Sequence, residues 1–148
     1  MKYFNDLINI LNHSVVTNLK KDDMVFEKAI EEIIDCVRNI KSNKVIAIGN
    51  GGSAAIASHL VNDLCKTDNI KAMCFSDYSY NTCMANDFGY EYAYEKAIEM
   101  FADQGDILVA ISSSGNSENI IKAAKKGKEK GCLIITLSGF KENNKLRN

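Results

Sequence analysis

The stretch Val45-Ile46-Ala47-Ile48-Gly49-Asn50-Gly51-Gly52-Ser53 sets the frame of the fold. A short, continuous, β-branched run of this kind reads as a strand buried on both faces. It feeds straight into a glycine-rich loop, and an alanine-rich helical stretch over 53–66 follows. Similar apolar runs recur at 72–75, 107–111 and 133–137, with further helical stretches at 90–102 and 117–130. Strands alternating with helices imply βαβ units, hence a parallel sheet with helices on both faces. The polar segment 76–88 is less regular, and a short helix is expected around 82–85. Upstream, Phe4, Leu7, Ile8, Leu11, Val15 and Leu19 recur at the helical period, as do Phe26, Ile30, Ile33, Val37 and Ile40. Asp22 and Asp23 supply N-cap chemistry for the second of these two helices. The expected organisation is one domain over 1–148, with a helical pair at 1–41 and an α/β core at 42–148.

Composition narrows the function. A chain of 148 residues, 46% of them hydrophobic, can bury one core without staples. Lys and Arg number 18 against 19 Asp and Glu, a net charge of −1. That balance argues against nucleic-acid binding by counterion release and against a polybasic membrane anchor. No apolar run reaches membrane-spanning length, and Met1-Lys2-Tyr3-Phe4-Asn5-Asp6 lacks a signal-peptide core. The five cysteines are odd in number and form no Cys-x-x-Cys pair. Such usage suits a reducing cytoplasm, not a disulfide framework or a structural zinc site.

Two loops carry the chemistry. In a parallel sheet ligands bind at the carboxyl ends of the strands, where Gly49-Asn50-Gly51-Gly52-Ser53 lies. Its glycines let an anion approach backbone N–H groups, and the helix beyond offers unpaired donors and a positive dipole end. Ser53 would cap that helix or donate its hydroxyl to an oxyanion. A tight turn needing glycine for geometry alone is an equal competitor for one such loop. The second loop, Ser112-Ser113-Ser114-Gly115-Asn116-Ser117, shifts the balance, because clustered hydroxyls at a second strand end exceed what a turn needs. Each hydroxyl bonded to a charged phosphate contributes roughly 1.5–3 kcal/mol. Neither loop has the Gly-Lys-Ser/Thr of a P-loop, which favours a phosphomonoester over a triphosphate with magnesium.

His59 and Asp63, four residues apart, would share one face of the helix after the first loop. Such a pair can supply two zinc ligands or an acid and a base, although an ordinary surface pair has the same spacing. Asn86-Asp87-Phe88-Gly89 is a further candidate, read as a polar turn after the second strand. Lys122, Lys125, Lys126, Lys128 and Lys130 read as a solvated helix face whose cations complement the dipole. Cys74 and Cys132 read as small core residues.

Taken in order, the glycine loop, Asn86-Asp87-Phe88-Gly89 and the serine loop resemble the SIS (sugar isomerase) family, and within it the phosphoheptose isomerase branch. The likeness runs from the first helix to Leu137-Ser138-Gly139. It implies a flavodoxin-like sheet and a homotetramer with active sites between subunits, the N-terminal helices supplying assembly surface. It implies a sugar phosphate held by Ser112, Ser113, Ser114 and Ser117, with Asn50, Gly51, Gly52, Ser53 and Asp87 around the sugar. His59 matches a metal-ligand position of zinc-containing members. Asp63, also at a metal position, falls where the family has the glutamate that moves a proton between C1 and C2 through an enediol.

Two departures from the family pattern matter. Asp63 keeps the carboxylate but shortens its reach by one methylene. The family also continues with a further strand and a long helix bearing a glutamine and the histidine acid/base, whereas this sequence runs to Lys145-Leu146-Arg147-Asn148. Part of the catalytic and zinc set is thus expected to be absent, and Leu133-Ile134-Ile135 to form an edge strand. The expected activity is isomerisation of sedoheptulose 7-phosphate, with no nucleotide cofactor. A non-catalytic sugar-phosphate-binding SIS module is the alternative. A third reading, NAD binding, rests on Gly49-x-Gly51-x-x-Ala54 with Asp77 as the ribose acid; the serine loop weighs against it.

Overall fold

The computed structural model describes residues 1–147, which divide into two compact units at Asn39/Ile40. In the first unit α1 (Lys2–Asn12) is followed by a two-residue antiparallel pair, β1 (Val16–Thr17) with β2 (Asp23–Met24), and by α2 (Phe26–Arg38). The first helix is shorter than its apolar period implies, so Val15 and Leu19 lie beyond it. Side chains compete for the backbone at its end: His13 Nδ1 bonds the Asn9 carbonyl at 2.7 Å, and Ser14 Oγ donates to that of Ile10 at 3.3 Å. The expected aspartate cap is also not used. Val25 holds the N-cap position of α2 without a side-chain bond, and Asp23 pairs with Thr17 in the hairpin. The turn between β1 and β2 is organised by Asn18, whose Oδ1 accepts the backbone N–H groups of Lys20 and Asp22.

The second unit carries the parallel sheet: β3 (Val45–Gly49), β4 (Ala72–Cys74), β5 (Ile107–Ser112) and β6 (Leu133–Ser138), in the order β4-β3-β5-β6. Between them lie α3 (Gly52–Lys66), α4 (Tyr78–Phe88), a 3-10 turn at Tyr90–Tyr92, α5 (Ala93–Phe101) and α6 (Glu118–Glu129). The continuous apolar runs become the central strands, β3 and β5, buried along their whole length. Alternation then sorts their side chains. Ile46, Ile48, Leu108 and Ala110 meet Tyr94, Ala97 and Ile98 of α5 and Ile120, Ile121 and Ala123 of α6 in one core cluster. Val45, Ala47, Ile107 and Val109 belong to the opposite face, which α3 covers with Ala57 and Leu64. The edge position expected for Leu133-Ile134-Ile135 is observed, and these residues are half-buried.

The irregular segment holds more helix than expected. Asp77 caps α4 by accepting the Tyr80 N–H at 2.8 Å, so the helix runs through Asn86-Asp87-Phe88 and ends at Gly89. These residues are therefore a last helical turn and its cap, not a free polar turn. No helix among the described residues is long and apolar enough to cross a membrane.

At the amino ends of β3 and β5 sits a fully buried carboxylate, Asp106. It accepts from Lys44 Nζ at 2.7 Å, the backbone N–H groups of Asp103 and Lys44 at 2.8 and 3.0 Å, and Asn43 Nδ2 at 3.2 Å. Burial pushes its pKa up, but these donors outweigh burial and hold it below the ordinary carboxylate range. The base of the sheet is thus locked, while the carboxyl ends stay open to a ligand.

Candidate functional site

From β3 the chain crosses to β4 on one side and returns to β5 on the other. The switch point of the sheet therefore lies between β3 and β5, where open α/β sheets bind ligands. A cleft of about 210 Å³ opens there, lined by Asn50, Ser53, Ile111, Ser112, Ser113, Ser114, Ser117 and Phe140. It brings together residues of both loops singled out from the sequence, and none of those lining it carries a titratable side chain.

The three glycines of the first loop have different reasons to be there. A Cβ on Gly49 would lie 2.6–2.8 Å from Ser53 atoms, because the strand end runs hard against the first helical turn. Gly51 has φ +53° and ψ −121°, a conformation essentially reserved for glycine. Gly52 has neither constraint, for its φ is ordinary and a Cβ would meet nothing within 4 Å. Turn geometry explains the first two, whereas Gly52 is exposed and faces open space. Ser53 does not cap α3. Gly51 stands at the N-cap and makes no side-chain bond, so the Ser53 hydroxyl is not engaged in capping.

Neighbouring groups stiffen both loops. Tyr94 donates its hydroxyl to the Gly49 carbonyl at 2.6 Å. Burial, with smaller effects of Tyr90 and Cys74, pushes that hydroxyl up to about 12, so it remains a proton donor. In the serine loop, Ser112 Oγ donates to Ser117 Oγ at 3.2 Å, and Ser114 Oγ accepts the Asn116 N–H at 3.1 Å. Gly115 has φ +63°. The side chain of buried Asn144 fills the place where its Cβ would stand, and the Leu146 N–H donates to its carbonyl at 2.8 Å. Leu146 itself sits in the core cluster. Asn119, Tyr90, Asn144 and Leu146 were not singled out from the sequence. Only their distant partners give them meaning.

The remaining candidates lie outside the cleft lining. His59 and Asp63 are exposed on α3 with Nε2 and Oδ2 3.4 Å apart. A tetrahedral zinc ion bonded to nitrogen and oxygen at about 2.0–2.2 Å holds adjacent ligand atoms at about that separation. The pair therefore fits half of a tetrahedral set; among the described residues no group of three or more His, Cys, Asp or Glu is placed to hold a metal. Asp87, exposed near the end of α4, accepts from Asn86 Nδ2 at 2.9 Å and from Cys83 Sγ at 3.6 Å. Its charge, together with slight burial, pushes the Cys83 thiol up, away from thiolate chemistry. Asp77 is committed to capping α4. Along α6, Lys122 lies 4.3 Å from the Tyr92 ring centroid, and Lys126 pairs with Glu129 at 2.6 Å. Cys74 and Cys132 are half-buried.

Comparison with known proteins finds relatives for the chain as a whole. The family model described as "SIS domain" matches residues 2–139. A phosphoheptose isomerase of Cytophaga hutchinsonii is 40% identical over 111 residues, covering 72% of this chain and 58% of that protein. One from Salmonella paratyphi B is 37% identical over 145 residues, 92% of this chain and 76% of that protein. This chain thus spans little more than half of the first relative and about three quarters of the second. Among solved structures, a phosphoheptose isomerase from Neisseria gonorrhoeae aligns with a TM-score of 0.82 at 29% identity, over 98% of this chain and 76% of its own. The Vibrio vulnificus NanR protein complexed with ManNAc-6P aligns at 0.59 and 22% identity, over 83% of this chain and 40% of its own; that likeness is one of fold.

Proposed function

Since this chain belongs to the SIS-domain family, we propose that it is a sugar-phosphate isomerase acting on sedoheptulose 7-phosphate to give D-glycero-D-manno-heptose 7-phosphate. The observation that carries the reading is the cleft at the switch point, which Ser112, Ser114 and Ser117 line together with Asn50 and Ser53 of the glycine loop. A phosphate monoester suits it: hydroxyls and backbone N–H groups supply the hydrogen bonds, and the space over Gly52 lets an oxygen approach the backbone. Ser113 flanks the phosphate. Asn50, Ser53 and the loop glycines take the sugar, and Asp87 contributes from α4.

Asp63 is the base in this scheme. Its carboxylate removes a proton from C1 of the ketose, leaving an enediolate, and returns that proton to C2. The proton on O1 moves to O2, and the aldehyde forms at C1. Atoms and charge balance without a redox partner. Among the described residues His59 and Asp63 are a pair that would hold a zinc ion, which when bound would polarise a sugar oxygen. We further propose that the protein assembles as a homotetramer, because Phe4, Leu7, Ile8 and Leu11 give α1 an exposed apolar stripe; light scattering that returns the mass of a single copy would contradict this.

A second reading is favoured by one observation. No residue lining the cleft titrates, as suits a module that binds a sugar phosphate without turning it over. An isomerisation assay with sedoheptulose 7-phosphate, with and without zinc, beside Asp63→Asn, separates the two. Turnover that disappears in the variant supports the isomerase. Substrate bound but never converted supports the binding module, and no binding at all refutes both.

A further inference from the structure

Asn50 lines the cleft, yet most of its hydrogen-bonding capacity is spent inside the chain. Its Nδ2 donates to Asn119 Oδ1 at 3.0 Å, and Asn119 Nδ2 donates back to Asn50 Oδ1 at 2.8 Å. The Tyr90 hydroxyl donates to the same Asn50 oxygen at 2.8 Å. The orientation of this reciprocal pair is fixed by the backbone. The Ile120 N–H, which can only donate, is shared between the Ser117 carbonyl at 3.1 Å and Asn119 Oδ1 at 3.0 Å. That end of the Asn119 amide must therefore be oxygen, its other end must donate, and the Asn50 atom receiving it must be oxygen too. Asn119 is buried at 3% exposure, so it has no solvent to turn toward.

A carboxamide has two acceptor sites on its oxygen and two N–H donors on its nitrogen. In Asn50 both acceptor sites are filled and one N–H is used. One N–H remains. We propose that Asn119 and Tyr90 are positioning residues that lock the Asn50 carboxamide, so that Asn50 presents a ligand in the cleft with a single N–H donor and no acceptor. This deepens the sugar-phosphate reading and rests on it. The ligand atom facing Asn50 is then an acceptor oxygen of the sugar end, a carbonyl or the oxyanion formed from it. A preorganised donor gains strength as negative charge develops on such an oxygen. The lock also joins the first loop to the helix that follows the second, holding the two sides of the cleft at one spacing.

The test is a thermodynamic cycle on the full chain, measuring dissociation constants for sedoheptulose 7-phosphate and, separately, for inorganic phosphate. Tyr90→Phe and Asn119→Ala should each weaken the sugar phosphate about 3- to 10-fold, the worth of one misaligned hydrogen bond. Inorganic phosphate, gripped by the serine loop, should bind within about 2-fold of the parent. In an Asn50→Ala background neither substitution should weaken sugar-phosphate binding further, since each acts through Asn50. Tyr90 is half exposed, so Tyr90→Phe remains informative where Asn119→Ala fails to fold. Losses that add fully to that of Asn50→Ala, or that fall equally on inorganic phosphate, overturn the assignment. Ser114→Ala is the separate control on the underlying reading. If it leaves inorganic phosphate binding unchanged, the phosphate cradle is wrong and the lock loses its ligand; if it weakens binding while the cycle shows no coupling, only the lock is wrong.

Discussion

Changing each of three neighbouring glycines to alanine should set Gly52 apart from Gly49 and Gly51, and the contrast tests whether the loop is built for a ligand. Gly52 has an ordinary φ and open space where its Cβ would go. It is also the first residue of α3. Removing its backbone freedom there should stabilise the fold by about 0.4–1 kcal/mol. For a domain of this size that is a rise of roughly 1–3 °C in Tm. On the proposed function that space takes a phosphate or sugar oxygen, and the same methyl group would keep it from the backbone. Losing one charge-assisted hydrogen bond, about 1.5–3 kcal/mol, corresponds to about 10- to 150-fold weaker binding. Gly51→Ala must adopt φ +53° with ψ −121° and should cost about 1–3 kcal/mol of stability. Gly49→Ala drives a Cβ to within 2.6 Å of Ser53 backbone atoms, so the strand end and helix must part, at a cost of about 1–3 kcal/mol or more. Thermal melts and calorimetric titration with sedoheptulose 7-phosphate read both quantities. A Gly52→Ala variant that binds as tightly as the parent, or that melts below it, would refute the claim that the open space serves a ligand.

The other predictions concern the cradle, the base of the sheet and the division of labour between copies. Ser114→Ala should weaken sugar-phosphate binding about 10-fold while leaving Tm nearly unchanged, as isothermal calorimetry and melting would report. Asp106→Asn should lower stability by about 3–5 kcal/mol in urea unfolding at neutral pH, because Lys44 and two backbone donors lose a buried charge. The Asp106 pKa is depressed on folding, so its contribution is present above the unfolded value of about 4 and fades as pH falls toward the folded one. The gap between parent and variant should therefore close in acid, and a gap that widens would contradict the sign. Asp63 lies ten residues beyond Ser53 on α3, about 15 Å along the axis at 1.5 Å per residue. That reach favours a site completed by a second copy. At a substrate concentration too low for Ser114→Ala chains to turn over measurably, mixing them with Asp63→Asn chains should then restore part of the turnover, and no recovery in mixed oligomers would place cleft and base in one copy.

What could be read in the sequence was what depends on near neighbours. Val45-Ile46-Ala47-Ile48 and 107–111 declare buried strands because a strand covered on both faces has no polar alternation to hide. The glycine and serine loops were legible for the same reason, each being a strand end, a turn and a helix start within a few residues. Local rules failed where several local options competed. The apolar period through Val15 and Leu19 fits a longer helix, but polar side chains at His13 and Ser14 capture the last carbonyls and end it. Asp22 and Asp23 are good caps in isolation, yet the turn built by Asn18 draws Asp23 into a strand pair. Asp87 reads as a turn residue, but Asp77 starts a helix early enough to include it. The parts that organise the cleft were not legible at all. Asn50 and Asn119 are separated by 69 residues, and nothing near either marks the other as its partner. Asn144 and Leu146 look like ordinary tail residues until Gly115 is found beneath one and the core around the other. A short-range pattern can say that an anion would be welcome at a strand end. Whether the amide beside it arrives as a donor or an acceptor is decided by residues that only folding brings within hydrogen-bonding distance.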